Sequence, residues 1–169
     1  PLEASQFRYI HQAIRPGAQI SSISGGTDII GCFVLGNPIS PVYAGQIQGP
    51  ALGVDVAVFD EQGRSRTGEE GELVCRKPFP SMPLGFWNDP EDQKYREAYF
   101  GTYPNIWHHG DYIAATPEKG FVIHGRSDTT LNPAGIRFGT AEIYQIVERL
   151  PFVQDSIVAS YRRGGEVRV

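Results

Sequence analysis

The sequence predicts a mixed, β-rich α/β fold. Between residues 36 and 76, glycines separate short alternating apolar runs. Residues 2–14 carry apolar side chains at helical spacing. The stretch from Ile123 to Glu148 reads as strand, turn, loop and helix, with an unusual density of glycine, arginine and aspartate in its loop.

Composition narrows the function classes. A chain of 169 residues has roughly the length of one ordinary domain and could bury about 70% of its unfolded surface. Its net charge of -4, with no basic cluster longer than Arg162-Arg163, argues against a nucleic-acid partner. Cys32 and Cys75 lack the Cys-x-x-Cys spacing of zinc or redox sites and read as thiols of a reducing compartment, which predicts the cytoplasm. No apolar run reaches the roughly 18 residues of a membrane span, and no signal-peptide pattern opens the chain. It starts without methionine and stops in the strand-like Glu166-Val167-Arg168-Val169, so a fragment is expected.

Taken in order, Leu2, Phe7, Ile10 and Ile14 predict a helix with one buried face, ended by Pro16-Gly17. Residues 18–24 predict a buried strand that empties into Ser24-Gly25-Gly26-Thr27-Asp28. Glycines let backbone N–H groups approach a phosphate, a threonine hydroxyl can donate to it, and a carboxylate beside it can hold magnesium. From these residues alone, an ordinary glycine turn with an Asp cap fits better. Residues 54–59 and 71–76 predict two strands in hairpin-like succession, with a turn at Asp60-Glu61-Gln62-Gly63.

Residues 78–87, rich in proline and aromatics, predict a loop. A helix is expected to start at Asn88-Asp89-Pro90 and run through Tyr95 and Tyr99 to Tyr103-Pro104. Ile106 to Tyr112 predicts an aromatic strand ending in Gly110-Asp111, and Phe121 to His124 a further short strand. Adjacent His108 and His109 on a strand face opposite ways, so they do not readily ligate one metal together. After the loop, a helix capped near Thr140 carries Glu142, Ile143, Ile146, Val147, Glu148 and Leu150, and residues 153–159 predict a strand.

Gly125-Arg126-Ser127-Asp128 followed by Gly135-Ile136-Arg137 resembles the hinge of the adenylate-forming enzymes: acyl- and aryl-CoA synthetases, luciferases and peptide-synthetase adenylation domains. Thr27-Asp28, Gly71-Glu72-Leu73-Val74 and Gly110-Asp111 occur in that family's order, although Ser24 stands where many relatives carry an aromatic residue. The resemblance implies the end of a large AMP-binding domain over residues 1–127, with a β subdomain over about 36–127. The start of an α+β lid follows over 128–169.

It further implies that Gly25, Gly26 and Thr27 meet the phosphates, Asp28 holds Mg2+, Asp111 and Arg126 hold the ribose, Arg137 reaches the α-phosphate and Asp128 is the hinge pivot. An acceptor-only carboxylate suits a ribose diol, since it can accept from two vicinal hydroxyls at once. Gly25 occupies the place where acetyl-activating relatives carry a tryptophan, which implies room for a bulkier acid. Residues 78–83 with Phe86-Trp87-Asn88-Asp89 and Lys94-Tyr95-Arg96 resemble the branch that activates acetoacetate.

The implied substrates are therefore acetoacetate, ATP and coenzyme A, with Mg2+ as cofactor. No phosphate loop ending in lysine occurs, and Lys77, Lys94 and Lys119 match no family lysine, so this stretch alone is expected to be inactive. Two other readings stay open: another short- or medium-chain acyl-CoA synthetase, or a non-catalytic β-rich binding module whose Gly-Asp and Gly-Arg turns are structural.

Overall fold

The computed structural model describes residues 1–127, 140–159, 161–163 and 166–168. The chain divides into two compact units, Pro1–His109 with Ile113–Ile123, and Gly110–Tyr112 with His124–Val169.

The first unit opens with helix α1 (Ala4–Tyr9), started by a capping box between Glu3 and Gln6. It widens into a π-helical turn over Ile10–Ile14, and Arg15, before Pro16, is already extended. The single apolar face expected of this helix is not realised: Phe7 is buried, whereas Ile14 is 66% exposed. The wider turn changes the angular step between residues, so three-and-four spacing no longer lines up one face.

Residues 18–23 do not form the expected strand. Side chains hold them instead, with Ser22 Oγ accepting from the Leu2 N–H and Gln19 Nε2 donating to the Asn37 carbonyl. Strand β1 begins only at Ser24 (Ser24–Gly26) and pairs antiparallel with β2 (Gly31–Leu35), which pairs with β3 (Gly49–Pro50). A 3₁₀ turn over Thr27–Ile29 joins β1 to β2. The loop before β3 is gathered by the buried Gln48 amide, which donates to the carbonyls of Asn37 (3.0 Å) and Ser40 (2.6 Å) and accepts from the Asn37 N–H at 3.1 Å.

The predicted β region is a five-stranded sheet of β4 (Val56–Phe59), β5 (Ser65–Arg66), β6 (Glu70–Cys75), β7 (Trp107–Ala115) and β8 (Phe121–Arg126), in the order β5-β4-β6-β7-β8. The β4/β6 pair runs antiparallel from Val56↔Cys75 to Phe59↔Glu72. Neighbours on a strand face opposite ways. Accordingly, Val58, Leu73 and Cys75 join one core with Phe33, Ile113 and Trp107, while Ala57, Phe59 and Val74 join Tyr103 in a second.

After the predicted loop, helix α2 (Gln93–Phe100) starts three residues beyond Pro90 rather than at Asn88. Asp89 caps it from outside: Oδ1 accepts from the Lys94 N–H and Oδ2 from the Tyr95 N–H. Burial would raise the Asp89 pKa, but these N–H groups and the Lys94 charge outweigh it and hold the carboxyl below its usual range. Strand β7 does not end at Gly110-Asp111; it passes through them to Ala115, with Gly110 at φ +82.

In the second unit lie Gly110–Tyr112, the end of β8, helix α3 (Thr140–Val147) and the antiparallel pair β9 (Tyr161–Arg163) and β10 (Glu166–Arg168). On α3, Ile143 and Val147 are half-buried, but Ile146 is exposed, as is Leu150 beyond the helix end. The strand expected over 153–159 does not form. Its backbone is held locally instead: the Val153 N–H donates to the Leu150 carbonyl and the Val158 N–H to the Tyr144 hydroxyl.

Candidate functional site

The predicted phosphate and metal segment is the β1–β2 connection of the first unit. Gly25 has to lack a side chain, because a Cβ there would collide with the Gly31 carbonyl of the paired strand. The hydrogen of Gly25 thus serves the close pairing of β1 and β2. A Cβ on Gly26 would strike the Asp28 carboxylate and lie 3.0 Å from His109 Cε1.

Thr27 and Asp28 are exposed on the turn that follows. Asp28 Oδ2 accepts from the Tyr99 hydroxyl at 2.8 Å, and its Oδ1 from the Ile29 N–H at 3.1 Å. The Tyr99 ring stacks on Trp107, with centroids 3.7 Å apart and planes 14° from parallel. A carboxylate offers about four lone-pair sites, so these two bonds leave Asp28 able to meet a hard cation. Among the described residues no group of three or more His, Cys, Asp or Glu side chains converges. Asp28 thus fits Mg2+, which is commonly held by one or two carboxylates plus substrate phosphates rather than by an all-protein cage.

The two histidines of β7 diverge. His109 is buried, its ring edge-on to Phe33 with centroids 4.6 Å apart. His108 lies 2.9 Å from Glu72 Oε2 through Nε2 and 3.3 Å from Thr102 Oγ1 through Nδ1.

In the second unit, β7 and β8 bring Asp111 and Arg126 together. Asp111 is 6% exposed, and Arg126 Nη1 lies 3.4 Å from its Oδ1. That is longer than the about 2.7–2.9 Å of a tight charge-assisted bond, so a ligand hydroxyl can compete for the carboxylate. The Arg126 guanidinium also lies across Gly110, with Nη2 2.7 Å from where a Cβ would stand. Asp128, Gly135 and Arg137 lie outside the described residues.

Sequence reasoning singles out Asp28, Asp111 and Arg126 but gives no such role to three of their neighbours. Gly110 was legible only as half of a Gly-Asp pair. His109 was weighed only as a metal ligand, whereas the structure sets its ring under Gly26. Tyr99 stands 71 residues from Asp28, and no local pattern links them.

Along its whole length the chain matches synthetases of the adenylate-forming class, and it belongs to that family. No family model matches the sequence. The particular likeness is to acetoacetyl-CoA synthetases: it is 53% identical to that of Rhizobium meliloti over 169 residues and 51% identical to that of Rattus norvegicus over 171 residues. These comparisons take in 100% of this chain, which spans about a quarter of each relative (26% and 25%).

Among solved structures, acetoacetyl-CoA synthetase from Streptomyces lividans superposes with a TM-score of 0.83 at 47% identity, covering 93% of this chain and 24% of the other. An anthranilate CoA ligase solved with anthranoyl-AMP shares the fold, with a TM-score of 0.71 at 23% identity over 90% of this chain and 28% of the other.

Proposed function

We propose that this chain is part of an ATP-dependent acid–thiol ligase that converts acetoacetate, ATP and coenzyme A to acetoacetyl-CoA, AMP and pyrophosphate. The observation that carries it is the 53% identity to an acetoacetyl-CoA synthetase along 100% of the chain. In the first half-reaction the substrate carboxylate attacks the α-phosphorus of ATP, the bond from that phosphorus to the α,β-bridging oxygen breaks and pyrophosphate leaves. In the second, the CoA thiolate attacks the acyl-adenylate carbonyl and AMP leaves. Such displacement depends on positioning and charge neutralisation and uses no protein nucleophile.

In this reading Thr27, on the turn after Gly25 and Gly26, donates to phosphate oxygens. Asp28 contributes a carboxylate oxygen to Mg2+, which when bound neutralises charge on the phosphates. Asp111 accepts from the ribose hydroxyls and Arg126 holds the carboxylate and ribose in register. By the family resemblance, Arg137 neutralises the α-phosphate and Asp128 is the pivot between half-reactions. The same resemblance divides the chain into the end of a large AMP-binding domain, residues 1–127, and the start of a lid, 128–169. Lys77, Lys94 and Lys119 match no family lysine, so the whole reaction is not assigned to these residues alone.

A reducing, cytoplasmic setting is consistent with Cys32 and Cys75, which form no disulfide. Among the described residues no helix is long and apolar enough to cross a membrane.

Pyrophosphate release by the complete open reading frame tests the reading, with acetoacetate and acetate compared for the unaltered protein and Asp111→Ala. Acetoacetate-dependent release that collapses in the variant supports it. Release with a different acid only would remove the substrate and keep the chemistry, and no release with any carboxylate from folded protein would favour a binding module.

A further inference from the structure

The Asp28 carboxylate stands on an exposed turn, where an Asp side chain ordinarily samples several rotamers. Here both oxygens are engaged, Oδ1 by the Ile29 N–H and Oδ2 by the Tyr99 hydroxyl at 2.8 Å. Tyr99 is itself fixed: its ring lies on that of Trp107, which is 2% exposed, and it belongs to helix α2, whose first turn is capped by Asp89. The hydroxyl therefore reaches Asp28 from a rigid element.

We propose that Tyr99 is a positioning residue for the divalent cation: its hydroxyl holds the Asp28 carboxylate in the orientation in which the remaining lone pairs face the metal. This rests on the reading of Asp28 as a Mg2+ ligand. A partner that orients a metal-binding carboxylate raises affinity without touching the metal, because the ligand no longer loses rotamer freedom on binding. Tyr99 contributes no atom to the reacting centre, and Tyr99→Phe keeps the ring on Trp107 while removing the hydroxyl.

The test is Mn2+ binding to the complete protein in the presence of ATP, followed by electron paramagnetic resonance, for unaltered protein, Tyr99→Phe and Asp28→Asn. Freeing the Asp28 side chain from one held rotamer predicts Mn2+ affinity about fivefold weaker in Tyr99→Phe. In activity assays the same variant shows a raised Mg2+ requirement with an unchanged KM for acetoacetate, and its melting temperature falls by no more than the loss of one hydrogen bond implies. Weakening in both variants supports the proposal. Weakening in Asp28→Asn with Tyr99→Phe indistinguishable from unaltered protein overturns the role of Tyr99 and leaves Asp28 as ligand. Undiminished affinity in Asp28→Asn overturns the metal reading itself, and the role of Tyr99 with it.

Discussion

Arg126 lies across the backbone of Gly110, its Nη2 2.7 Å from the point where a Cβ would stand, while its Nη1 lies 3.4 Å from Asp111 Oδ1. The hydrogen of Gly110 is therefore what lets the arginine approach the neighbouring carboxylate. Gly110→Ala is expected to displace the guanidinium and to strain a backbone at φ +82, at a cost of about 1–2 kcal/mol. Thermal unfolding reads the strain. Isothermal titration of ATP with the complete protein reads the displacement, with a loss of about tenfold in affinity expected if a charged contact is removed.

Asp60 closes the β4–β5 connection. The Arg64 N–H, followed by the Arg66 and Arg64 side chains and the Gln62 N–H, holds its carboxyl down to about 2 from 3.8 against the opposing effect of desolvation. For a depressed pKa, the stabilising contribution is complete above the unfolded value and is lost as pH falls through the folded one. The melting-temperature gap between unaltered protein and Asp60→Asn should be constant above about pH 4 and shrink between about pH 4 and 2.

Cys75 is 1% exposed, and burial pushes its thiol up. Cys32 is only partly covered. Under native conditions iodoacetamide should modify Cys32 while leaving Cys75 intact, and both should react after denaturation, as peptide mass spectrometry will show.

Gly25→Ala forces a methyl group against the Gly31 carbonyl across the β1–β2 pair. Overpacking of this kind typically costs about 1–3 kcal/mol. A lower melting temperature, with amide exchange accelerated first in Gly31–Leu35, is the expected result. An unchanged melting temperature would show that the β1–β2 pair gives way to the methyl group without cost.

Legibility in the sequence followed the range of the forces involved. Strands β4 and β6 were readable because alternation is local and the Asp60 turn carries its own chemistry. The start of α2 was misplaced because its N2 and N3 N–H groups, those of Lys94 and Tyr95, are capped by Asp89 from three residues before the N-cap position, which Asp92 holds. Of the strand expected over 18–24 only Ser24 enters a ladder, because Gln19 and Ser22 bond to distant backbone instead. Asp111 and Arg126 were found one by one from family spacing, yet their direct pairing and its dependence on Gly110 appear only when β7 and β8 are both in place. The hydroxyl of Tyr99 on Asp28 was out of reach of any periodicity.

The Tyr99–Trp107 stack also gives the molecule an optical gauge. The sequence has 2 tryptophans, and they sit in opposite surroundings: Trp107 is 2% exposed beneath a tyrosine ring, whereas Trp87 is 93% exposed. Their emission should separate into a blue-shifted component from Trp107 and a red-shifted one from Trp87. Any event that pulls α2 away from β7 would register in the blue component alone, without an added label.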